Sequence, residues 1–169
     1  MRINTTTLYL SLLSADGADN RPNLEGVNVK NGTACATDGT VLGCMPESGG
    51  FEGFIPSIAC KAVLKGVKKD STFQIDGEYL TRNDGVSFKM VENRDRGDFP
   101  DYACIMRDES SFKINESIKL DLSLLTRFEN FLRRSGLATG VEMSFDDHMA
   151  SVVLVSGEFT GVTMPMRKA

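Results

Sequence analysis

Tryptophan is absent from the chain, histidine occurs once and proline five times in 169 residues. One histidine excludes chemistry built on paired imidazoles, and His148 stands in Phe145-Asp146-Asp147-His148, which reads as a hairpin turn rather than a metal ligand or catalytic base. The four cysteines, Cys35, Cys44, Cys60 and Cys104, lie 9, 16 and 44 positions apart, so no C-x-x-C pair offers a zinc knuckle or a redox dithiol, and reduced thiols are expected. No run approaches the roughly 18 consecutive apolar residues of a membrane span. The N-terminal MRINTTTLYLSLLSADG has one Arg and an apolar stretch broken by Ser11 and Ser14, a poor signal peptide, so a cytoplasmic protein is expected. No G-x-x-x-x-G-K-[ST] or G-x-G-x-x-G occurs, and the Thr37-Asp38-Gly39 and Asn83-Asp84-Gly85 triplets lack the further carboxylates of a calcium loop. These absences together lead us to expect a non-enzymatic protein without cofactor or metal. Excess positive charge is missing too: 19 Lys and Arg face 23 Asp and Glu, for a net charge of −4. Bulk coating of nucleic acid is thereby excluded, and any DNA contact needs a local basic face.

With 41% hydrophobic and 25% charged residues, the composition is that of a folded globular chain. Residues 24–45 place Val27 and Val29 on one face, then Asn31-Gly32, then a second alternating run, the pattern of a β-hairpin. In FIPSIACKAVLKGVKK a short apolar strand leads to Ser57, placed to cap a helix that carries Ile58, Ala59, Ala62, Val63 and Val67 on one face. Lys61, Lys65, Lys68 and Lys69 occupy the other face. The strands STFQID, YLTR and GVSFKMV follow, with Asn83-Asp84-Gly85 as the last turn.

The same order of strand, helix and three strands recurs downstream: SIKL, a helix from Asp121 to about Arg134, then GVEMSF, MASVVLV and EFTGVTM. Asp121 is positioned as N-cap and Gly136 as terminator, with Leu122, Leu125, Glu129 and Leu132 along one line and Leu124, Phe128 and Phe131 along the next. The matching order, and the correspondence of Lys68-Lys69 with Arg133-Arg134, predict an internal repeat, of which residues 1–49 are a third, reduced copy. The first copy opens with TLYLSLLS, helix or strand, and copies two and three are joined by ENRDRGDFPDYACIMRDESS, a charged connector holding one apolar stop from Phe99 to Ile105.

Four segments, RPNLEGV (21–27), ATDGTVL (36–42), FPDYACI (99–105) and VTMPMR (162–167), resemble the bacterial DNA sliding clamps, in that family's order. The resemblance implies an α+β sliding-clamp fold, with antiparallel sheets and helices on one face. Residues 1–108 resemble the clamp's middle domain and 109–169 half of its C-terminal domain.

Several functional expectations follow from the same resemblance. The family holds short peptides of polymerases and repair proteins in an apolar pocket. The matching residues here are Leu24, Thr37, Gly39, Leu42, Pro100, Ile105, Val162, Met164, Pro165, Met166 and Arg167. Methionines beside a proline make an adaptable apolar wall that suits several linear ligands. Thr40 and Val41 stand where clamps usually carry His and Arg, and Lys168-Ala169 replaces a terminal Leu. Clamp helices face duplex DNA without reading bases, a role the resemblance gives to Lys61, Lys65, Lys68, Lys69, Arg127, Arg133 and Arg134. A family ring of twelve repeat units would need four chains of three, so a homo-oligomer, dimer or tetramer, is one expectation and a monomeric peptide adaptor or decoy the other. A phage or mobile-element origin fits a shortened clamp, and no membrane partner is expected.

Overall fold

Asn31 and Gly32 take φ values of 52° and 71°, the left-handed pair that a tight two-residue hairpin demands, and they join β2 (Gly26–Lys30) to β3 (Thr33–Thr37). β4 (Val41–Pro46) adds to β3 through the turn at residues 38–40. The computed structural model describes residues 1–15, 21–91, 97–102, 120–144 and 151–163. Before this hairpin come β1 (Arg2–Ile3) and α1 (Thr5–Tyr9), which tightens into a 3₁₀ turn at Leu10–Leu12. TLYLSLLS is therefore helical. The carboxylate of Glu47, at the end of β4, accepts from the Asn4 amide and the Thr7 hydroxyl and so secures the first turn of α1, which has no side-chain cap of its own.

β5 (Gly53–Pro56), α2 (Ser57–Leu64), β6 (Phe73–Asp76), β7 (Tyr79–Arg82) and β8 (Ser87–Lys89) form the second unit. α3 (Leu122–Ser135), β9 (Glu142–Ser144), β10 (Val152–Ser156) and β11 (Phe159–Thr163) repeat its helix and three strands. The expected SIKL strand falls largely outside the described residues, as does His148.

Units one and two are built into each other. β1 pairs with β6 of the second unit, and β5 pairs with β2 of the first, so each unit's leading strand edges the other's sheet. The result is a four-stranded sheet, β1-β6-β7-β8, and a seven-stranded one, β5-β2-β3-β4-β11-β10-β9. The third unit joins through the antiparallel pairing of β4 with β11, in which Gly43 lies opposite Gly161. Neither position has room for a side chain. A Cβ on Gly43 would stand 2.4 Å from Leu13 Cδ1, and one on Gly161 would stand 2.7 Å from Phe128 Cε1. The bare backbone lets Phe128, Phe131 and Phe159 close over the seam, with the Phe131 and Phe159 ring centroids 4.7 Å apart.

Alternation along the strands gives the seven-stranded sheet two apolar faces. Ala34, Ala36, Val41, Met45, Val152, Leu154 and Phe159 face the helices and share one core with Leu8, Leu10, Val63, Phe128, Phe131 and Leu132. Cys35, Leu42, Cys44, Val153 and Val162 face the other way, where Phe99 and Tyr102 pack on them.

Several expectations are corrected. Ser57 is the first helical residue, not the cap; Pro56 holds that position in extended conformation, with no side-chain cap. α2 ends at Leu64, where Lys65 turns extended and Gly66 takes φ 69°, so Lys68 and Lys69 follow the helix rather than ride on it. Ile58 and Leu122, both assigned to apolar lines, are 64% and 74% exposed, because the helices bury only Ala59, Cys60 and Val63 in α2 and Phe128, Phe131 and Leu132 in α3. Cys35 and Cys44, directly opposite in the β3–β4 register, are joined by a disulfide rather than reduced. Cys60 is free and buried, and burial pushes its thiol up to about 12. α3 follows the sequence reading: Asp121 Oδ1 accepts from the Ser123 amide at 2.8 Å, and Gly136, at φ 77°, ends the helix.

Candidate functional site

The turn between β3 and β4 is locked by its own side chains. Thr37 Oγ1 donates to the Val41 carbonyl at 2.6 Å and accepts from the Gly39 amide at 3.0 Å. Asp38 Oδ1 accepts from the amides of Thr40 and Val41 at 2.8 and 2.9 Å. Gly39 takes φ 91°, and a Cβ there would stand 2.5 Å from Arg21 Nη1, so only glycine suits the position. From the third unit, Arg127 of α3 reaches the other oxygen of Asp38. Burial opposes ionisation of Asp38, but the Val41 and Thr40 amides, then Arg127 and the Thr40 hydroxyl, outweigh it and hold the carboxyl below its ordinary value.

This turn forms one wall of a cleft of about 200 Å³ on the sheet face away from the helices. Leu24, Thr37, Gly39, Leu42, Pro100 and Val162, six of the residues singled out from the sequence, line it together. They arrive from the 3₁₀ turn Pro22–Leu24, the β3–β4 turn, the segment 97–102 and β11. Ile105, Met164, Pro165, Met166 and Arg167 lie outside the described residues. Thr40 and Val41, noted from the sequence as replacing the usual His and Arg, also line the cleft, as do Phe99, Tyr102 and Thr163, which were not among the expected peptide-binding residues. The signal for Phe99 and Tyr102 was available: they are the aromatic residues in the apolar stop of a charged connector. Their rings meet edge to face, centroids 6.5 Å apart, and Asn23 Nδ2 ties the segment down through the Asp98 carbonyl at 3.0 Å.

The basic residues gather on the opposite, helical side, but not as one set. Lys61, Lys65 and Arg134 line a depression of about 450 Å³ with Tyr9, Leu12 and Leu64, where α1, α2 and α3 meet. Arg127, one of the residues expected to face DNA, is committed to Asp38 and to the Leu12 and Ser14 carbonyls, so its charge is balanced inside the fold. Arg133 pairs with Glu129 at 3.5 Å, both exposed, and Lys68 and Lys69 are exposed beyond α2. Among the described residues no cluster of three or more His, Cys, Asp or Glu side chains stands ready to hold a metal ion, and no helix is long and apolar enough to cross a membrane.

No family profile and no curated protein sequence matches the chain; its likenesses are structural. It superposes on the DNA polymerase III beta chain of Streptococcus pneumoniae with a TM-score of 0.69 at 13% identity, covering 99% of this chain and 64% of that one. The Helicobacter pylori beta clamp, bound to a DNA ligase peptide, gives 0.68 at 12% identity, covering 99% and 65%. The Thermotoga maritima beta subunit gives 0.62 at 16%, covering 100% and 65%. The chain thus spans just under two thirds of the length of these clamps. Interlocked strand-helix-strand-strand-strand units, antiparallel sheets and this superposition together give the chain the fold of the bacterial sliding clamps.

Proposed function

We propose that the protein is a non-catalytic, clamp-like factor of DNA replication or repair that holds polymerases or repair proteins by short peptides seated in the cleft on β4 and β11. The observation that carries this reading is the convergence of Leu24, Thr37, Gly39, Leu42, Pro100 and Val162, remote in sequence, on one apolar cleft. At about 200 Å³ it is smaller than the ~300–1,000 Å³ of drug-sized pockets and suits one or two bulky side chains of a linear peptide. The H. pylori clamp, bound to a DNA ligase peptide, supplies the precedent. Met164, Pro165 and Met166 would extend the apolar wall and Arg167 would add a positive charge to the same site, residues 1–108 would serve as the middle-domain equivalent and 109–169 as half of a C-terminal one.

Lys61, Lys65 and Arg134, on the far side of the sheet, provide a place for duplex phosphates without base readout, so a tethered partner and the DNA would lie on opposite faces. A second reading, a monomeric adaptor or decoy that keeps only the cleft, is favoured by the internal commitment of Arg127. One experiment separates them: light-scattering chromatography over a concentration series, combined with anisotropy of a fluorescent peptide anchored by Leu and Phe. Binding abolished by Tyr102→Asp with oligomers and salt-sensitive duplex association supports the clamp. The same binding from a monomer indifferent to duplex supports the adaptor. Binding that survives Tyr102→Asp refutes the cleft assignment.

A further inference from the structure

The bond between Cys35 and Cys44 is not placed as a structural staple would be. It joins cysteines nine positions apart in a hairpin already closed by five paired positions, and a short loop restrains the unfolded chain less than a long one. Breaking it also leaves the ladder whole. The Glu47 amide donates to the Gly32 carbonyl at 2.8 Å and the Asp38 amide to the Val41 carbonyl at 3.4 Å, which fixes a hydrogen-bonded pair at each end of the hairpin. The two kinds of pair alternate between these ends. Cys35 and Cys44, three steps from either, are therefore a non-hydrogen-bonded pair, with side chains at closest approach and Cα atoms 4.3 Å apart.

What the bond adjoins is the cleft. Two residues along the register from Thr37 and Leu42, Cys35 and Cys44 share their face of the sheet and pack with Leu42, Val153 and Val162, while Phe99 and Tyr102 cover them. Leu42, Val162, Phe99 and Tyr102 all line the cleft. The bond holds two sulfurs closer than non-bonded atoms can come, so two thiols need more room than one disulfide. Cys35 is fully buried and Cys44 4% exposed, in a close-packed layer with no spare space. Val153 and Val162 are fixed opposite each other in the β10–β11 register. Phe99 and Tyr102 belong to no strand and are only partly buried, so they are the neighbours that yield.

We propose that Cys35 and Cys44 form a redox switch on the cleft: the disulfide holds the Phe99–Tyr102 wall in its peptide-gripping position, and reduction by a dithiol loosens it. This rests on the peptide-binding reading of the cleft. A thiolate of the reductant attacks Sγ of Cys44, the less buried of the two, and Cys35 leaves as a thiolate and takes up a proton. The reductant's second thiol then displaces Cys44, so two electrons and two protons pass to the protein and the reductant ends as its own disulfide. Coupling runs both ways, and a seated peptide resists reduction of the bond beneath it.

The test measures anisotropy of a cysteine-free fluorescent peptide, anchored by Leu and Phe, on the intact chain before and after reduction with dithiothreitol. Thiol alkylation and mass spectrometry count the bond in each form. The oxidised protein should bind about tenfold or more tightly than the reduced one. In graded dithiothreitol buffers, saturating peptide should lower the midpoint potential of the bond by about 30 mV for each tenfold difference in affinity. Hydrogen exchange should quicken in 97–102 on reduction while β3 and β4 stay protected. Cys35→Ala with Cys44→Ala should bind identically with and without dithiothreitol; the two forms of wild type carry the test if this variant does not fold. Equal affinity of the two wild-type forms, a response to dithiothreitol that persists in the double variant, or four alkylatable thiols in the oxidised preparation overturns the switch alone. Absence of binding by the oxidised chain, or binding indifferent to Tyr102→Asp, overturns the cleft reading and the switch with it.

Discussion

Replacing Gly161 by alanine adds a single methyl group at the seam between the first and third units, and its cost follows from the geometry. Its φ is not in the left-handed region, so alanine fits the backbone and by itself would add about 0.4–1 kcal/mol by restricting the unfolded chain. Against this, the new Cβ would stand 2.7 Å from Phe128 Cε1 and 3.1 Å from Phe159 Cε1, both rings buried and in contact with Phe131 or each other. Ordinary contact begins near 3.4 Å, so a ring must move within a close-packed core, at about 1–3 kcal/mol. The net expectation is a loss of about 1–2 kcal/mol, or a fall of about 2–8 °C in thermal midpoint for a chain of this size. Urea and thermal unfolding followed by circular dichroism read it. The control is Gly140→Ala, where nothing lies within 4 Å and φ is likewise unrestricted. Trimming the obstructing ring in Phe128→Leu should rescue part of the loss, with a coupling of about 0.5–3 kcal/mol between the two changes. Equal stability of Gly161→Ala and Gly140→Ala, or strict additivity with Phe128→Leu, would refute the reasoning.

Three further outcomes are expected. Asp38 ionises below its ordinary value in the folded chain, so its contribution is present above the unfolded value near 3.9 and is lost as pH falls through the lower folded value; the stability gap between wild type and Asp38→Asn in urea titrations should therefore narrow as pH drops below about 4. Asp121→Ala leaves the Ser123 amide without its side-chain acceptor and should lower the thermal midpoint by roughly 2–4 °C, whereas Ser57→Ala, which removes no cap, should not. Arg82 donates through Nη1 to the Val63 and Lys65 carbonyls at 2.7 and 2.8 Å and through Nε to Asp84, so Arg82→Lys, which cannot span these acceptors, should speed amide exchange at the end of α2 more than elsewhere.

Local chemistry made some elements legible and not others. Asn31-Gly32 could be read as a turn because few residue pairs adopt two left-handed conformations in succession, and α3 because Asp121 and Gly136 mark both ends. α2 was read too long: the apolar spacing runs on to Val67, but the backbone leaves the helix at Lys65, where the Val63 and Lys65 carbonyls are taken up by Arg82 from another strand. No helical periodicity carries that information. Ile58 misled for a related reason, since spacing places it on a face without saying whether anything covers that face. The Cys35–Cys44 pairing was within reach, because a short turn after Thr37 sets Thr37 opposite Leu42 and hence Cys35 opposite Cys44. The cleft became visible through a family resemblance rather than through local rules, because Leu24 and Val162 meet only when β4 and β11 pair.

That pairing turns the cleft into a clasp. Leu42 and Val162 sit side by side across the join, one contributed by the first unit and the other by the third. Whatever grips both holds the two units shut, by as much as its own differential affinity for the closed arrangement, about 2.7 kcal/mol at a hundredfold excess over its dissociation constant. The exchange runs in both directions: a substitution at the join, out of reach of any ligand, weakens the grip on the ligand to the extent that it populates a separated arrangement. A bound peptide is in this sense a removable piece of the sheet's own mortar.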